Sequence, residues 1–252
     1  MKKSFHGESS PGISNTLHGL GRVNQKRGNL QKAEEYLLKS LEMKKSFHGE
    51  SAPGIAVTLQ SLGGVYQERG NLRKAEEYFL KSLEMEKSFH GESSPGIAVT
   101  LHALGSVYQE RGNLQKAEEY LLKSLEMKKS FDGESSPAIA VTLHVLGSVY
   151  QERGNLQKAE EYLLKSLEME KSFGGGSSPG IAATLHALGT VYYVRGDLQE
   201  AEKLFSQASE MFRLFYTDGH STIVNAKQWL DNISVKLSDS DPRKENIHQL
   251  KD

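Results

Sequence analysis

The chain repeats itself with a period of 42 residues, and this period constrains its fold more than any other feature. Six methionines open six units, and the length of 252 residues equals six periods. They are Met1, Met43, Met85, Met127, Met169 and Met211. Sequences that are self-similar at a fixed spacing of this size fold as stacks, in which each unit packs only on its neighbours. The repeat therefore predicts one solenoid and not a globular domain with a thick core.

The third unit shows how each period is expected to fold. Ser94 precedes Pro95, an order that suits a helix N-cap followed by proline at the first helical position. An apolar stripe of helical period follows at Ile97, Leu101, Leu104 and Tyr108. Gly112 fits the left-handed residue that ends this helix A, and Asn113 can cap a helix B. The apolar face of helix B comprises Leu114, Ala117, Leu121 and Leu125. Each unit is thus predicted to be two antiparallel helices.

Small residues indicate where the two helices of a unit approach each other. Gly105 on helix A and Ala117 on helix B lack bulk at the predicted contact, where a large side chain would push the helices apart. On the outer side of helix B, Glu119 and Lys123 are spaced to form an i,i+4 ion pair.

These residues resemble the tetratricopeptide repeat family. The pattern Leu104-Gly105-x-x-Tyr108, followed by Gly112, Ala117 and Leu121, matches its signature of small and large residues. Leu101, Leu121 and Ser124 stand where the family usually has tryptophan, phenylalanine and alanine. The 42-residue spacing, the long helix B and the Gly-Glu-x-x-Pro loop are similar to the kinesin light chain and nephrocystin type of repeat. The resemblance implies an all-α fold, an α-solenoid of tandem antiparallel helix pairs wound into a right-handed superhelix.

The units predict five complete helix pairs with a different element at each end. The pairs are expected at residues 11–47, 53–89, 95–131, 137–173 and 179–215. Residues 1–10 copy the end of a helix B and its loop, as the tail of a preceding repeat or an N-terminal extension would. Residues 221–237 form one amphipathic helix that is expected to cap the array. The charged residues 238–252 are expected to be disordered.

The first helix A carries polar substitutions that leave two interpretations open. Asn15, Arg22, Asn24 and Lys26 occur where later units have other residues. They fit an N-terminal cap, and they also fit a chain that is a fragment of a longer array. An apolar end without a cap would favour self-association through the array ends.

A ladder of polar residues lies one position after the stripe leucine of each helix A. We call these residues the rungs, and they are His18, Gln60, His102, His144, His186 and Gln228. In tetratricopeptide arrays this position faces the concave groove that holds extended peptides, so the resemblance implies a peptide-binding groove here. Further groove candidates one and two turns along are Arg22, Gly64, Ser106, Ser148, Thr190, Gln67, Gln109 and Gln151, with Glu68, Glu110 and Glu152 at the margin. The alternative is that the rungs are spacers that pack on a neighbouring helix A.

Several classes of function find no support in the sequence. Lys plus Arg number 31 against 32 acidic residues, so no basic excess points to nucleic acid. No cysteine is present for disulfides or thiol chemistry. No cofactor, metal or catalytic site is predicted: His6, His48 and His90 fall in loops where other units have Asp132 or Gly174. Gly174-Gly175-Gly176 lacks the ending of a phosphate loop. Nothing resembles a signal peptide or a membrane span, which makes the cytoplasm the predicted location.

The sequence therefore predicts a protein-interaction scaffold or adaptor without enzymatic activity, which binds a peptide segment of a partner in the groove. The alternative is the regulatory or sensor region of a larger signalling ATPase or enzyme. If the rung histidines contact the ligand as neutral imidazoles, affinity should change between about pH 7.5 and about 5.5, since free histidine titrates near 6.5.

Overall fold

The computed structural model describes residues 11–49, 53–173 and 176–239, and these ranges form eleven α-helices and no strand. Ten of the helices make five pairs of one A helix and one B helix. The pairs are α1 (Pro11–Lys26) and α2 (Leu30–His48), α3 (Pro53–Glu68) and α4 (Leu72–His90), α5 (Pro95–Glu110) and α6 (Leu114–Asp132), α7 (Pro137–Glu152) and α8 (Leu156–Phe173), and α9 (Pro179–Arg195) and α10 (Leu198–Arg213). A single helix, α11 (Ser221–Asp239), follows them. The predictions for residues 1–10, for Gly174 and Gly175 and for the tail from residue 240 lie outside the described residues.

The helices group into two compact units, whose boundary lies between Phe131 and Asp132 at the end of α6. The first unit contains α1 to α6 and the second contains α7 to α11. Within each unit, the B helix of one pair packs on the A helix of the next, as α2 does on α3 and α8 does on α9. This tandem packing of helix pairs confirms the predicted all-α solenoid class.

The helix ends form as the sequence predicts. The Ser94 hydroxyl accepts a hydrogen bond from the Ile97 amide at 3.1 Å, directly before Pro95. Gly112 has a φ of +74°, the left-handed conformation that only glycine adopts without strain. Asn113 then caps α6, since its Oδ1 accepts from the Lys116 amide at 3.2 Å. These local signals end helix A and start helix B within three residues.

The two helices of a pair are held at close distance by a glycine and a serine. A Cβ added at Gly105 would lie 2.5 Å from Cγ of Leu121 and 3.3 Å from the Ala117 carbonyl oxygen, which confirms the predicted close approach. The Ser124 hydroxyl, at the usual alanine position of the family, donates to the Ala98 carbonyl at 2.7 Å in a buried hydrogen bond. The same bond recurs at Ser40, Ser82 and Ser166.

Within each compact unit, successive helix pairs are joined by a polar contact at one end of the junction. Glu76 on α4 accepts a hydrogen bond from the Tyr108 hydroxyl at 2.5 Å and pairs with Arg111. Tyr108 lies on the next A helix, α5, and Arg111 directly follows that helix. Glu34 makes the same two contacts with Tyr66 and Arg69, and Glu160 makes them with Tyr192 and Arg195. A glutamate near the start of each of these B helices therefore fixes the end of the following A helix.

Replacement of Gly105 by alanine tests the close approach of the A and B helices. Gly105→Ala should destabilise the fold by about 1–3 kcal/mol, because the added methyl overlaps Leu121. Gly19→Ala is the matched control: nothing lies within 4 Å of its added Cβ, so it should stabilise α1 by about 0.5–1 kcal/mol. Thermal unfolding followed by circular dichroism measures both changes. Equal destabilisation by the two substitutions would contradict this account of the contact.

Candidate functional site

The candidate site is the outer surface of the A helices, which we call the A face. In the first unit α1 lies against α3 and α3 against α5, and in the second unit α7 lies against α9. The A face of the first unit comprises Arg22, Val57, Gln60, Gly64, Val99, His102 and Ser106. That of the second unit comprises Val141, His144, Ser148, Ala183, His186 and Thr190.

In the first unit, the rungs contact a threonine on the following A helix. His18 Nδ1 lies 3.3 Å from the Thr58 hydroxyl, and the Gln60 side-chain amide donates to the Thr100 hydroxyl at 2.5 Å. Thr58 itself donates to the Gly54 carbonyl at 3.0 Å. Since a hydroxyl has one proton to donate, His18 must donate from Nδ1 to Thr58. Each of these rungs therefore links two neighbouring A helices.

The second unit repeats this link in one pair and varies it in the other. His144 Nδ1 lies 2.9 Å from the Thr184 hydroxyl, which donates in turn to Oε2 of Glu170 at 2.9 Å. His186 Nε2 lies 3.1 Å from Oδ1 of Asn225 on α11, and its ring meets Phe205 edge-on with centroids 5.0 Å apart. These contacts are what the spacer interpretation of the rungs predicts, although the rungs also border the exposed part of the A face.

Burial keeps the rung histidines neutral. Burial, with smaller contributions from the charges of Lys44 and Arg22, lowers the pKa of His18 to about 4. Burial, with a smaller contribution from Lys128, lowers the pKa of His102 to about 4. Burial also lowers the pKa of His144 and of His186. Acidification to about pH 5.5 should therefore leave His18 and His102 neutral, so a change of ligand affinity over this interval is not expected from these two rungs.

Behind the rungs, one position near the end of the B helices carries a charged residue of alternating sign, which is buried in the first three pairs and half-buried in the fourth. The sequence has Lys44, Glu86, Lys128 and Glu170 at this position. Lys44 Nζ donates to the Gly54 carbonyl at 3.0 Å and to the Thr58 hydroxyl at 2.9 Å. Glu86 accepts from the Gln60 amide at 3.0 Å through Oε1, whereas its buried Oε2 has no hydrogen-bond partner. Burial raises the pKa of Glu86, against a smaller opposing effect of His90.

The A face of each unit also exposes valines that the sequence analysis missed, two in the first unit and one in the second. Val57, Val99 and Val141 are 47%, 53% and 50% exposed, one in each of three successive A helices. They fall outside the buried stripe of helical period, which is why the stripe did not reveal them. Their 42-residue spacing next to the rungs was the available signal. They provide apolar surface on a face that was expected to be polar.

Several of the remaining predicted site residues form hydrogen bonds within their own A helix or to a neighbouring A helix. The hydroxyls of Ser106, Ser148 and Thr190 donate to the backbone carbonyls of the rung histidines one turn earlier, at 3.2, 3.2 and 3.1 Å. The Gln67 amide donates to Glu110 at 2.6 Å, and Gln25 makes the same bond to Glu68 at 2.7 Å. Gln109 and Gln151 occupy the same position as Gln67 and are half-buried, and Arg22 is exposed.

At the C-terminal end of the second unit, the A face includes a small cavity. Its volume is about 280 Å³, and it is lined by Ala183, His186, Phe212, Ser221, Thr222 and Asn225. The apolar wall comes from Phe212 and Ala183, and the polar rim from the His186–Asn225 hydrogen bond. A cavity of this kind can hold one apolar side chain of a ligand.

Neither a metal site nor a membrane span occurs in the part of the chain that the structure describes. Within it, no group of three or more histidine, aspartate or glutamate side chains is placed to hold a metal ion. None of its helices combines the length with the apolar character that crossing a membrane requires.

Comparisons with known proteins agree with this architecture. A family model described as Tetratricopeptide repeat matches residues 12–88, 54–130 and 138–213. No curated protein matches the chain in sequence.

Solved structures share the fold at low sequence identity. BtubC (BKLC) from P. vanneervenii is 23% identical with a TM-score of 0.70, over 83% of this chain and 83% of that chain. The nearly identical TPR-like repeats of a kinesin-light-chain-type protein from Podosopora anserina are 23% identical with a TM-score of 0.65, over 82% of this chain and 99% of that one. The Rap conjugation gene regulator of the plasmid pLS20, solved in complex with the Phr* peptide, is 20% identical with a TM-score of 0.70, over 85% of this chain and 56% of that one.

Replacement of rung histidines by glutamine tests whether they are neutral links between helices. The unfolded chain binds protons at histidine near pH 6.5, whereas His18 in the folded chain binds one only near its pKa of about 4. Histidine therefore makes the folded chain less stable as the pH falls from about 6.5 toward 4. His18→Gln/His144→Gln, which copies the natural rung Gln60, should reduce this loss and leave stability at neutral pH nearly unchanged. Denaturant unfolding across this interval measures the slope, and parallel profiles for parent and variant would contradict the assignment.

Replacement of Glu86 by glutamine tests the buried carboxyl. Because its pKa in the folded chain is raised, Glu86 favours folding below the unfolded pKa of about 4.5, and this contribution is lost as the pH rises through the folded pKa. Glu86→Gln should therefore stabilise the chain at neutral pH and lose this advantage in acid. Glu84→Gln, on the exposed side of the same helix, is the control and should change little. Destabilisation by Glu86→Gln at neutral pH would show that the charge itself is needed.

Proposed function

The chain belongs to the tetratricopeptide repeat family, and from this premise we propose that it is a protein-interaction scaffold whose A face holds an extended peptide segment of a partner. The family match confirms the repeat type predicted from sequence, and it indicates no catalytic family. The identity of the partner is open, and the surface limits its chemistry.

The observation that carries the proposal is the half-exposed valines of the A face, Val57 and Val99 in the first unit and Val141 in the second. The small residues Ala103 and Ser106 follow Val99 one and two helical turns along the same A helix. The rungs, which form part of the A face, link neighbouring A helices to each other. The face is therefore already ordered before a ligand binds. A preformed surface binds with a smaller loss of conformational entropy than one that must first be arranged.

Charge at the margin of the A face favours a ligand with basic residues outside its apolar part. Glu68 and Glu110 are exposed, and each is oriented by a glutamine of the preceding A helix. An exposed carboxylate row attracts lysine or arginine and raises the rate of encounter with such a ligand. In the second unit, the cavity at His186 and Phe212 would take an apolar side chain of a ligand bound to that unit.

A structural neighbour supports peptide as the class of ligand. The Rap regulator, which shares the fold, is described in complex with the Phr* peptide. We include the rungs His18, Gln60, His102, His144 and His186 in the proposed binding face, together with Arg22, Ser106, Ser148, Thr190, Gln109 and Gln151. Their contact with a ligand is part of the proposal.

Replacement of the three exposed valines by serine tests this function. Val57→Ser/Val99→Ser/Val141→Ser should abolish the capture of peptides from a random library of about ten-residue peptides, because it removes the apolar contact surface. The peptides captured by the parent should combine apolar and basic residues. Affinity for individual captured peptides, measured by isothermal titration calorimetry, gives the size of the loss.

The matched control is an equal number of exposed leucines on the B helices. Leu38, Leu80 and Leu122 are exposed to a similar degree as the valines and repeat with the same period. Their triple replacement by serine should leave peptide capture intact, and circular dichroism should show equal helicity in both variants. Loss of capture in the leucine variant alone would move the binding surface to the B helices.

A further inference from the structure

The first A helix exposes an apolar strip that the other A helices bury. Ile13, Leu20 and Val23 on α1 are 38%, 41% and 46% exposed. The residues one period later on α3, Ile55, Leu62 and Val65, are completely buried. The corresponding residues of α5 and α9 are also buried: Ile97, Leu104 and Val107, and Ile181, Leu188 and Val191. We call the strip on α1, with its polar neighbours, the α1 face.

At the internal junctions, the corresponding strip is covered by the B helix of the preceding pair. Among the described residues, α3 packs on α2, α5 on α4 and α9 on α8, in addition to the B helix of their own pair. The first A helix also packs on the B helix of its own pair, α2, and the strip is nevertheless exposed. The strip is therefore the surface that a preceding B helix covers elsewhere in the chain.

The polar groups that bind a preceding B helix are also present on α1. At the internal junctions, Arg69 pairs with Glu34, Arg111 with Glu76 and Arg195 with Glu160. Arg27 holds the corresponding position on α1 and is exposed. At the other end of the helix, Thr16 donates to the Gly12 carbonyl at 2.9 Å. Thr58 makes the same bond to Gly54 in the arrangement that receives Lys44.

We propose that the α1 face is a docking site for one further helix of the B type. Its occupant would be an amphipathic helix with a glutamate near its N-terminal end, which pairs with Arg27. A lysine ten residues later, at the spacing of Glu34 and Lys44, would donate to the Gly12 carbonyl and the Thr16 hydroxyl. Its apolar side would cover Ile13, Leu20 and Val23. This site lies on a different surface from the A face and does not depend on the proposed function.

One substitution distinguishes this site from the internal junctions. Asn24 stands where the internal A helices have Tyr66, Tyr108 and Tyr192, and its amide donates to the Leu20 carbonyl of its own helix at 2.9 Å. The docked glutamate would consequently lack the tyrosine hydroxyl as a partner. The occupant should therefore bind less tightly than a B helix packs within the array.

A separate helix fits this site better than a second folded copy of the chain. In the described residues each of α2, α4 and α8 is already packed between two A helices. The last B helix, α10, is covered by α11, through buried Ile223, Ala226 and Ile233 and through Trp229, which stacks on Phe205 with centroids 5.5 Å apart. A second copy could present a B helix only after one of these contacts opened.

The probe for this site is a labelled peptide with the sequence of residues 30–48, titrated with the full chain and followed by fluorescence anisotropy. We expect saturable binding that Leu20→Asp weakens by at least about tenfold, because an aspartate would be buried under the docked helix. Leu80→Asp, at a leucine of α4 that is 39% exposed and lies on neither the α1 face nor the A face, is the matched control and should leave binding unchanged. Equal loss in both variants would overturn the assignment of the peptide to the α1 face.

A charge exchange tests the orientation of the docked helix. Glu34→Lys in the peptide should weaken binding by up to about fivefold, the effect of one exposed ion pair. Arg27→Glu in the chain should restore the affinity for the altered peptide. If Arg27→Glu weakens binding of both peptides alike, the proposed glutamate–arginine contact is wrong.

A second measurement covers the case that a short free peptide is too weakly helical to bind. Residues 1–5 are identical to residues 43–47, so residues 30–42 placed directly before Met1 complete a B-helix sequence in the same chain. This extension should raise the Tm above that of a scrambled extension, and Leu20→Asp should remove the gain. No peptide binding together with no Tm gain would overturn the proposal. Dimerisation of the parent chain in sedimentation, abolished by Leu20→Asp, would instead assign the site to a second copy.

Discussion

Each A helix of this chain has two apolar sides, and its own B helix can cover only one of them. The close contact at Gly105 and Leu121 satisfies the first side within the pair, whereas Leu104 on the stripe is fully buried only in the array. A single pair would expose too much apolar surface to be stable, as in other repeat proteins. This constraint explains two features of the described residues. The helix α11 packs on α10, and the apolar strip of α1, on which no second B helix packs, is exposed.

Apolar packing alone would not fix how near-identical repeats align with one another. A shift of one helical turn would still bring leucine against leucine, but it would separate Glu76 from Tyr108 and Arg111. It would also separate each rung from its threonine, as Gln60 from Thr100. Unpaired polar groups at a partly buried contact cost far more than the paired groups contribute. We infer that the polar contacts at the two ends of the junction set the register, while the buried apolar side chains between them supply most of the stability.

Local features of the fold followed from sequence, whereas the partners of the candidate site residues did not. The Ser94 cap, the left-handed Gly112 and the contact of Gly105 depend on residues a few positions apart or on one helix pair, so spacing was sufficient to predict them. The partner of a rung lies 40 residues away. The helical period predicts that a rung lies beside the apolar stripe. It does not predict whether the rung contacts a ligand in the groove or the next A helix. The buried position of Glu86 was missed for the same reason, since a charged residue in helix B predicts a solvated face.

The threonine behind the rungs allows one backbone arrangement to hold charges of either sign. Beside Lys44, the hydroxyl of Thr58 accepts from the ammonium and donates to a backbone carbonyl. Beside Glu170, the hydroxyl of Thr184 donates to the carboxylate instead. The rung histidine contacts the same hydroxyl in both cases, and the charge of Lys44 lowers the pKa of His18 further than burial alone. A buried residue of the B helix thus influences the electrostatics of the A face. Near-identical repeats can therefore differ in the properties of this face through a substitution at a buried position.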